Sequence, residues 1–172
     1  MNPGKGPGPA SAGPLFDRLA LAVRVATAVV LAALVIIVCT EAFLRGVANV
    51  SLDYVEELTG YFVVTLTFFG AALALRASAL FRVSFLFDAM PAPARRWLSR
   101  VFIAGALFVC AILAWRSTDL VLSSFSRGKF APTELHTPLW IPQLIMPVGF
   151  VLLGVFLIEQ WLLSARATKA GE

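Results

Sequence analysis

Few side chains in this 172-residue sequence are of the types that bind metals or perform nucleophilic chemistry. Cys39 and Cys110 both lie in apolar stretches, where a free cysteine behaves as a small hydrophobic residue. The single histidine, His136, excludes a haem held by two histidines of this chain. It precedes Thr137-Pro138, which is typical of an N-cap followed by proline at the first helical position. We therefore expect no enzyme activity, no metal site and no cofactor.

The adjacent residues Glu56 and Glu57, here called the acidic pair, are the clearest candidates for a polar contact with a partner. Asp53 and Glu56 have the spacing of a capping box, with Asp replacing the usual Ser or Thr. Glu56 and Glu57 also suit the positive end of a helix dipole. Because neighbouring helical residues point about 100° apart, one acid can cap the helix while the other reaches an arginine of a partner, or Arg45. Both interpretations, capping alone and partner contact, stay open.

Small side chains follow the acidic pair along the same stretch. Gly70, Ala71 and Ala74 recur at helical spacing. In lipid, such a patch lets another helix approach closely, although the ordinary composition of a membrane helix also explains it.

The composition indicates whether these residues lie in water or in a membrane. Hydrophobic residues make up 59 % of the chain and charged residues 14 %, and the mean hydropathy is +0.86. Soluble domains are about 45–50 % apolar and about a quarter charged. A globule of this size cannot bury the excess, so the composition excludes a water-soluble enzyme and a disordered chain. The basic residues are not interleaved with aromatic ones, so no nucleic-acid partner is expected; the predicted partner is the lipid bilayer.

Four stretches without charged residues are long enough, with their flanks, to cross a bilayer, which takes about 20 apolar residues. We predict an all-α integral membrane protein with helices at 18–44, 54–76, 97–123 and 137–163. The remaining predicted segments are a disordered cytoplasmic lead (1–17), an amphipathic interfacial elbow between helices 2 and 3 (77–92), and a cytoplasmic tail (164–172).

Aromatic and proline residues support the last two spans. Trp97 and Trp115 bracket the third span at a helical distance of about 27 Å, close to the hydrocarbon thickness of about 30 Å. In the fourth span, Pro142 and Pro147 predict a bend because each removes a backbone donor.

Basic residues predict the orientation. Ten of the 14 lysines and arginines lie in the N-terminal segment, the 76–100 connection and the tail. The positive-inside rule places both termini and this connection in the cytoplasm. The residues expected to anchor the cytoplasmic side are Arg82, Arg95, Arg96, Trp97 and Arg100.

Ionisable residues are sparse inside the predicted spans. Glu41, Glu57, Arg76, Arg116 and Glu159 all fall near span ends. Since charges within a membrane mark ion or substrate paths, a chain without them is expected to support a transporter rather than form the path.

Three motifs in order resemble the DctQ family, the small membrane subunit of tripartite ATP-independent periplasmic (TRAP) transporters. The motifs are Arg45 with the run Tyr54-Val55-Glu56-Glu57-Leu58, the run Phe-Phe-Gly-Ala-Ala-Leu-Ala-Leu-Arg at 68–76, and the proline-rich opening of the last span at 139–149. The resemblance covers about residues 30–160. The chain departs from the family pattern at Tyr54, commonly Trp, and at Leu80 and Ser84, commonly His and Asp.

The resemblance implies a scaffold role in sodium-coupled uptake of an organic acid across a bacterial inner membrane. A large multispan subunit would carry the substrate, and a periplasmic substrate-binding protein would dock transiently. The residues expected to face or support the large subunit are Arg45, Asp53, Tyr54, Glu56, Glu57, Gly60, Gly70, Ala71, Ala74 and Arg76. In the loop after the third span, Arg127 and Lys129 are candidates for contact with the binding protein, and a solvated loop is the alternative.

Three other functions stay open. The chain could be an autonomous small transporter or channel that uses Glu41 or Glu159. It could be an intramembrane enzyme or electron carrier, which the lone histidine disfavours. It could also be the small subunit of a tricarboxylate-type tripartite transporter, which the acidic pair and the Gly70 patch disfavour.

Overall fold

A computed structural model of the chain describes residues 12–52, 54–77, 92–130 and 137–169, with side chains omitted at 92–93, 95–96 and 166–169. Several predicted features lie outside the described residues: Asp53, His136, most of the elbow with Leu80, Arg82 and Ser84, residues 1–11 of the lead, the last three residues, and the side chains of Arg95 and Arg96.

The described chain is helical, with four helices long and apolar enough to cross a membrane. The elements are α1 (Pro14–Ala48), α2 (Tyr54–Arg76), α3 (Ala92–Ser126), α4 (Trp140–Gln143) and α5 (Ile145–Lys169). The fourth span, Trp140–Ala165, takes in α4 and most of α5. These helices confirm the predicted all-α membrane fold.

The first helix is longer at both ends than the sequence pattern indicates. Pro14 occupies its first turn, where the missing N–H costs nothing, and Asp17 lies in the same turn. The helix therefore includes four residues that the sequence analysis placed in the lead. At the other end Asn49 adopts a left-handed conformation, φ 53°, and its N–H donates to the Leu44 carbonyl. This is a common way for a helix to end.

The fourth span is interrupted at Leu144, between Pro142 and Pro147. Proline has no N–H, so Pro147 cannot donate to the carbonyl of Gln143. The helical ladder resumes where Val148 donates to the Leu144 carbonyl at 3.3 Å. The interruption thus falls between the two prolines from which a bend is predicted.

The helices pack in the order α1, α2, α5, α3. The fourth span contacts both α2 and α3, while α1 packs on α2. In its most apolar part the fourth span is 22 % buried, against 6 % for the first and third spans. The central contacts come from a small cluster of buried apolar residues: Ala20, Ala72, Leu75, Ile103, Phe156 and Leu157. Most other large apolar side chains point outward, as expected where lipid or another membrane protein is the neighbour.

One glycine sets the approach of the fourth span to α2. A Cβ atom on Gly149 would lie 2.3 Å from Cγ of Phe68 and 2.8 Å from its Cβ. The Phe68 ring also packs edge-on against Phe150, with centroids 5.0 Å apart. Gly149 is therefore the residue that lets these two helices meet.

We predict that Gly149→Ala destabilises the protein by about 1–3 kcal/mol, because the new methyl group overlaps the base of the Phe68 side chain. Thermal or denaturant unfolding in detergent micelles measures the loss. Gly154→Ala is the matched control on the same helix, since its Cβ would meet Leu107 at an ordinary 3.8 Å. Equal stability of the two variants would contradict the proposed close approach.

Candidate functional site

Charged side chains from three helices meet at one end of the molecule, here called the cluster end. Arg76 is the last residue of α2, Asp17 lies in the first turn of α1, and Glu159 lies on α5. The Arg76 Nε donates to Glu159 Oε2 at 2.9 Å, and an Nη donates to Glu159 Oε1 at 3.2 Å. The same Nη also donates to Asp17 Oδ1. The three residues thus connect three helices.

The central pair of this cluster is shielded from its surroundings. The Arg76 side chain is 7 % exposed and that of Glu159 is 1 % exposed, whereas Asp17 is 55 % exposed. The Phe156 ring lies 5.9 Å from the guanidinium carbon, within the range of a cation–π contact. A pair as buried as this is stable only if its polar atoms are satisfied, which the bidentate geometry provides.

Backbone groups complete the cluster. Gln160 Nε2 donates to the carbonyls of Leu75 at 3.2 Å and Arg76 at 3.4 Å, two of the last four carbonyls of α2. The backbone N–H of Ala12 donates to Glu159 Oε1 at 3.3 Å. The chain before α1, the end of α2 and the fourth span are therefore held together by hydrogen bonds as well as charge.

This pair was not predicted from the sequence. Arg76 is expected there to face or support a partner and Glu159 to be a span-end charge, and the structure turns Arg76 inward onto Glu159. One signal was present: the second and fourth spans run in the same direction, so residues near their C-terminal ends lie at the same membrane surface. Opposite charges at matching depth can pair, although the two residues lie 83 positions apart in the sequence.

A second feature is the outward side of α2. Seven residues at helical spacing fall within a sector of about 100° on this helix, opposite its buried residues. We call them the α2 outer face: Glu56, Gly60, Val63, Thr67, Gly70, Ala71 and Ala74. The first four are exposed and the last three half-buried. A Cβ atom on Gly60 or Gly70 would meet nothing within 4 Å, so neither glycine serves packing within the described chain.

The structure separates the two adjacent acids. Glu56 is exposed on the α2 outer face, whereas Glu57 is half-buried and accepts a hydrogen bond from the Tyr61 hydroxyl one turn along α2. Tyr54 is 42 % exposed at the start of the helix. Arg45 is exposed near the end of α1, where it donates to Ser51 Oγ at 3.3 Å.

The remaining predicted site residues lie at the two ends of α3. Trp97 is 69 % exposed and Arg100 half-buried near its start. Arg127 and Lys129 are exposed just after its end. There the Lys129 carbonyl accepts a hydrogen bond at 3.0 Å from the N–H of Leu139, which holds the chain before α4 beside the end of α3.

Metal-binding chemistry finds no support in the residues that the structure describes. Over these ranges no group of three or more His, Cys, Asp or Glu side chains lies close enough to hold an ion. Cys39 is exposed and Cys110 half-buried, each as a free thiol within a span.

Comparison with known proteins identifies relatives. Residues 34–167 match the family model described as "Tripartite ATP-independent periplasmic transporters, DctQ component". The chain is 30 % identical over 105 residues to the ectoine TRAP transporter small permease protein TeaB of Halomonas elongata, covering 61 % of this chain and 54 % of TeaB. It is 31 % identical over 107 residues to the C4-dicarboxylate TRAP transporter small permease protein DctQ of Rhodobacter capsulatus, covering 62 % and 45 %.

A third relative is much longer. The isethionate TRAP transporter permease protein DctMQ of Oleidesulfovibrio alaskensis is 24 % identical over 119 residues, 69 % of this chain but 19 % of that protein. The matches span about half the length, or less, of these relatives. No solved structure matches the chain significantly.

We predict that Arg76→Leu and Glu159→Leu each lower the free energy of unfolding by about 3–5 kcal/mol, because each leaves a buried charge without its partner. The double variant should lose less than the sum of the two, since it leaves neither charge of the pair unmatched. Unfolding in detergent micelles measures all three. Arg45→Leu is the control and should change stability little, since Arg45 is exposed. If the loss in the double variant equalled the sum of the losses in Arg76→Leu and Glu159→Leu, a direct interaction between the two residues would be contradicted.

Proposed function

Because the chain belongs to the DctQ family of TRAP transporter small permease subunits, we propose that it acts as a scaffold. In this role it clasps and stabilises a large translocating subunit in the bilayer and does not form the substrate path. The observation that carries the proposal is the α2 outer face, where small residues are exposed or half-buried in the described part of the chain.

The relative DctMQ supports a large membrane partner. That permease contains a segment similar to this chain within a much longer polypeptide. In DctMQ, the segment similar to this chain and the rest of the permease are joined in one polypeptide. A small subunit that is a separate chain would instead need a surface that binds the large subunit. We propose a large multispan TRAP subunit as that partner.

The α2 outer face has the chemistry for this contact. In lipid, helices associate through close packing of small residues and through polar contacts. Gly60, Gly70 and Ala74 lower the surface of α2 along its length, and Glu56 places an exposed carboxylate at the end of the strip. Its neighbour Glu57 binds Tyr61 instead. Among the predicted interface residues, those on this face are the ones we propose for direct contact, and Arg76 would support it from inside.

The described spans are poorly suited to form a path of their own. The hydroxyls of Thr27, Thr65 and Thr67 each donate to a carbonyl four residues back in the same helix. Glu159, one of the two acids that an autonomous transporter could use, is paired with Arg76. These groups are engaged within the chain, which favours the scaffold over an autonomous transporter or channel.

The rest of the proposed assembly follows from the family. We propose sodium-coupled uptake of an organic acid in a bacterial inner membrane, with the acid carried by the large subunit and delivered by a periplasmic substrate-binding protein. The positive-inside rule places both termini, and with them the cluster end, in the cytoplasm. Arg127 and Lys129 would then lie on the periplasmic side, exposed to a transiently docked binding protein.

We predict that Gly70→Leu lowers recovery of the large subunit with the tagged small subunit about tenfold, because a leucine side chain would hold the partner helix away from α2; a tenfold loss corresponds to about 1.4 kcal/mol. Quantitative co-purification from native membranes measures it. Gly105→Leu on α3 is the matched control, since a Cβ there also meets nothing within 4 Å.

Substitutions of Glu56 and Glu57 can be tested in the same co-purification experiment. Glu56→Gln should weaken co-purification more than Glu57→Gln, since Glu57 is engaged by Tyr61 within α2. Undiminished recovery with both Gly70→Leu and Glu56→Gln would place the large subunit on another face.

We predict that the full chain reconstituted by itself in liposomes gives no solute flux above empty vesicles. Flux should require the large subunit together with the binding protein. A radiolabelled-substrate uptake assay under a sodium gradient tests this, using the organic acids recognised by the binding protein. Flux from the small chain alone would refute the scaffold role.

A further inference from the structure

A cleft opens between α1 and α2 beside the charged cluster. Its volume is about 320 Å³, within the range of small-ligand sites, about 300–1,000 Å³. The residues that line it are Ala20, Arg24, Leu73, Ala74, Arg76 and Ala77. It shares only Ala74 with the α2 outer face.

The two arginines of the cleft differ in their electrostatic state. Arg76 is neutralised by Glu159 and Asp17. Arg24 is exposed and forms no ion pair or hydrogen bond within the described residues. Its cation is therefore free to attract an anion from outside the chain.

The position of Arg24 makes such an anion favourable. Arg24 follows Asp17 by seven residues on nearly the same side of α1, about 10 Å further from the cluster end. A cation at this depth is costly in hydrocarbon unless its side chain reaches the headgroup layer or meets a counter-charge. The cleft extends from Arg24 to Arg76 near the cluster end. The Arg24 guanidinium can therefore contact a lipid headgroup that enters the cleft from that end.

The other described residues that line the cleft are apolar and mostly small. Ala20, Ala74 and Ala77 leave room between the helices, and Leu73 adds an aliphatic side chain. One unneutralised cation beside apolar walls matches the chemistry of a phospholipid, which joins an anionic phosphate to acyl chains. Basic pockets between membrane helices commonly bind anionic headgroups.

We propose that this cleft binds an anionic phospholipid, with its phosphate on the Arg24 guanidinium and an acyl chain beside Leu73. An acidic side chain of a protein partner is the competing occupant. The lipid is favoured because the cleft lies near the membrane surface and because its apolar walls suit an acyl chain better than a carboxylate. The proposal rests on membrane insertion alone and does not depend on the scaffold role.

Native mass spectrometry of the full chain in detergent micelles tests the proposal, with phosphatidylglycerol and phosphatidylcholine of identical acyl chains as probes. The wild type should retain phosphatidylglycerol about tenfold more strongly than phosphatidylcholine. Arg24→Gln should abolish this preference, and Arg24→Lys should keep most of it. Arg18→Gln is the matched control and should behave as wild type, since Arg18 is an exposed arginine of α1 that lies less than two turns before Arg24 and on another side of the helix.

A second variant tests the cleft separately from the charge. Ala74→Phe should fill the space between the helices and weaken retention of both lipids severalfold, with unfolding temperature measured to confirm that the variant is folded. Millimolar inorganic phosphate should not displace the lipid, because the acyl chain contributes to binding.

Three outcomes would overturn the proposal. One is that Arg24→Gln keeps the preference for phosphatidylglycerol. Another is that Ala74→Phe retains both lipids as the wild type does, which would mean that lipid binds outside the cleft. The third is that Arg24→Gln leaves lipid retention unchanged but reduces recovery of a large membrane protein, which would assign Arg24 to an acidic partner residue.

Discussion

The ion pair between Arg76 and Glu159 is the constraint on which the rest of the structure depends. Both side chains are almost fully buried where there is little water to solvate them, so neither charge is tolerable without the other. The pair holds the end of α2 against the fourth span, and Asp17 adds the start of α1 to the same cation. With these ends in place, the small apolar cluster around Ala72 and Phe156 can form between the helices.

The order of the helices follows from these contacts and determines which surfaces stay available. With the fourth span between α2 and α3, and α1 on the far side of α2, few side chains are buried within the chain itself. So little internal burial suits a protein whose neighbours are lipid and another subunit. The small residues of the α2 outer face stay exposed or half-buried, and a cleft opens between α1 and α2 in which Arg24 lies beside apolar residues.

The two kinds of charged residue in this chain therefore serve different purposes. Arg76, Glu159 and Asp17 neutralise one another within the molecule, so their charges are satisfied without an ion or a substrate. Glu56 and Arg24 point outward and are available to external groups. The proposed scaffold role would use both: an internal cluster that joins three helices, and outward charges that can contact neighbouring molecules.

The four spans and the all-helical fold could be predicted from the order of the residues, because a hydrocarbon solvent demands long apolar segments whose backbone groups are satisfied within each helix. The sequence also identified the acidic pair and the small residues of α2, since these are local patterns. The contacts of Arg76 with Glu159 and of Gly149 with Phe68 emerge only once the helices are packed, and so does the outward position of Glu56. They depend on how helices far apart in the chain rotate and meet, and the spacing of residues along one helix does not by itself determine the face that its neighbour covers. The bond from Tyr61 to Glu57 is local to α2, but the spacing alone does not distinguish which of the two acids makes it.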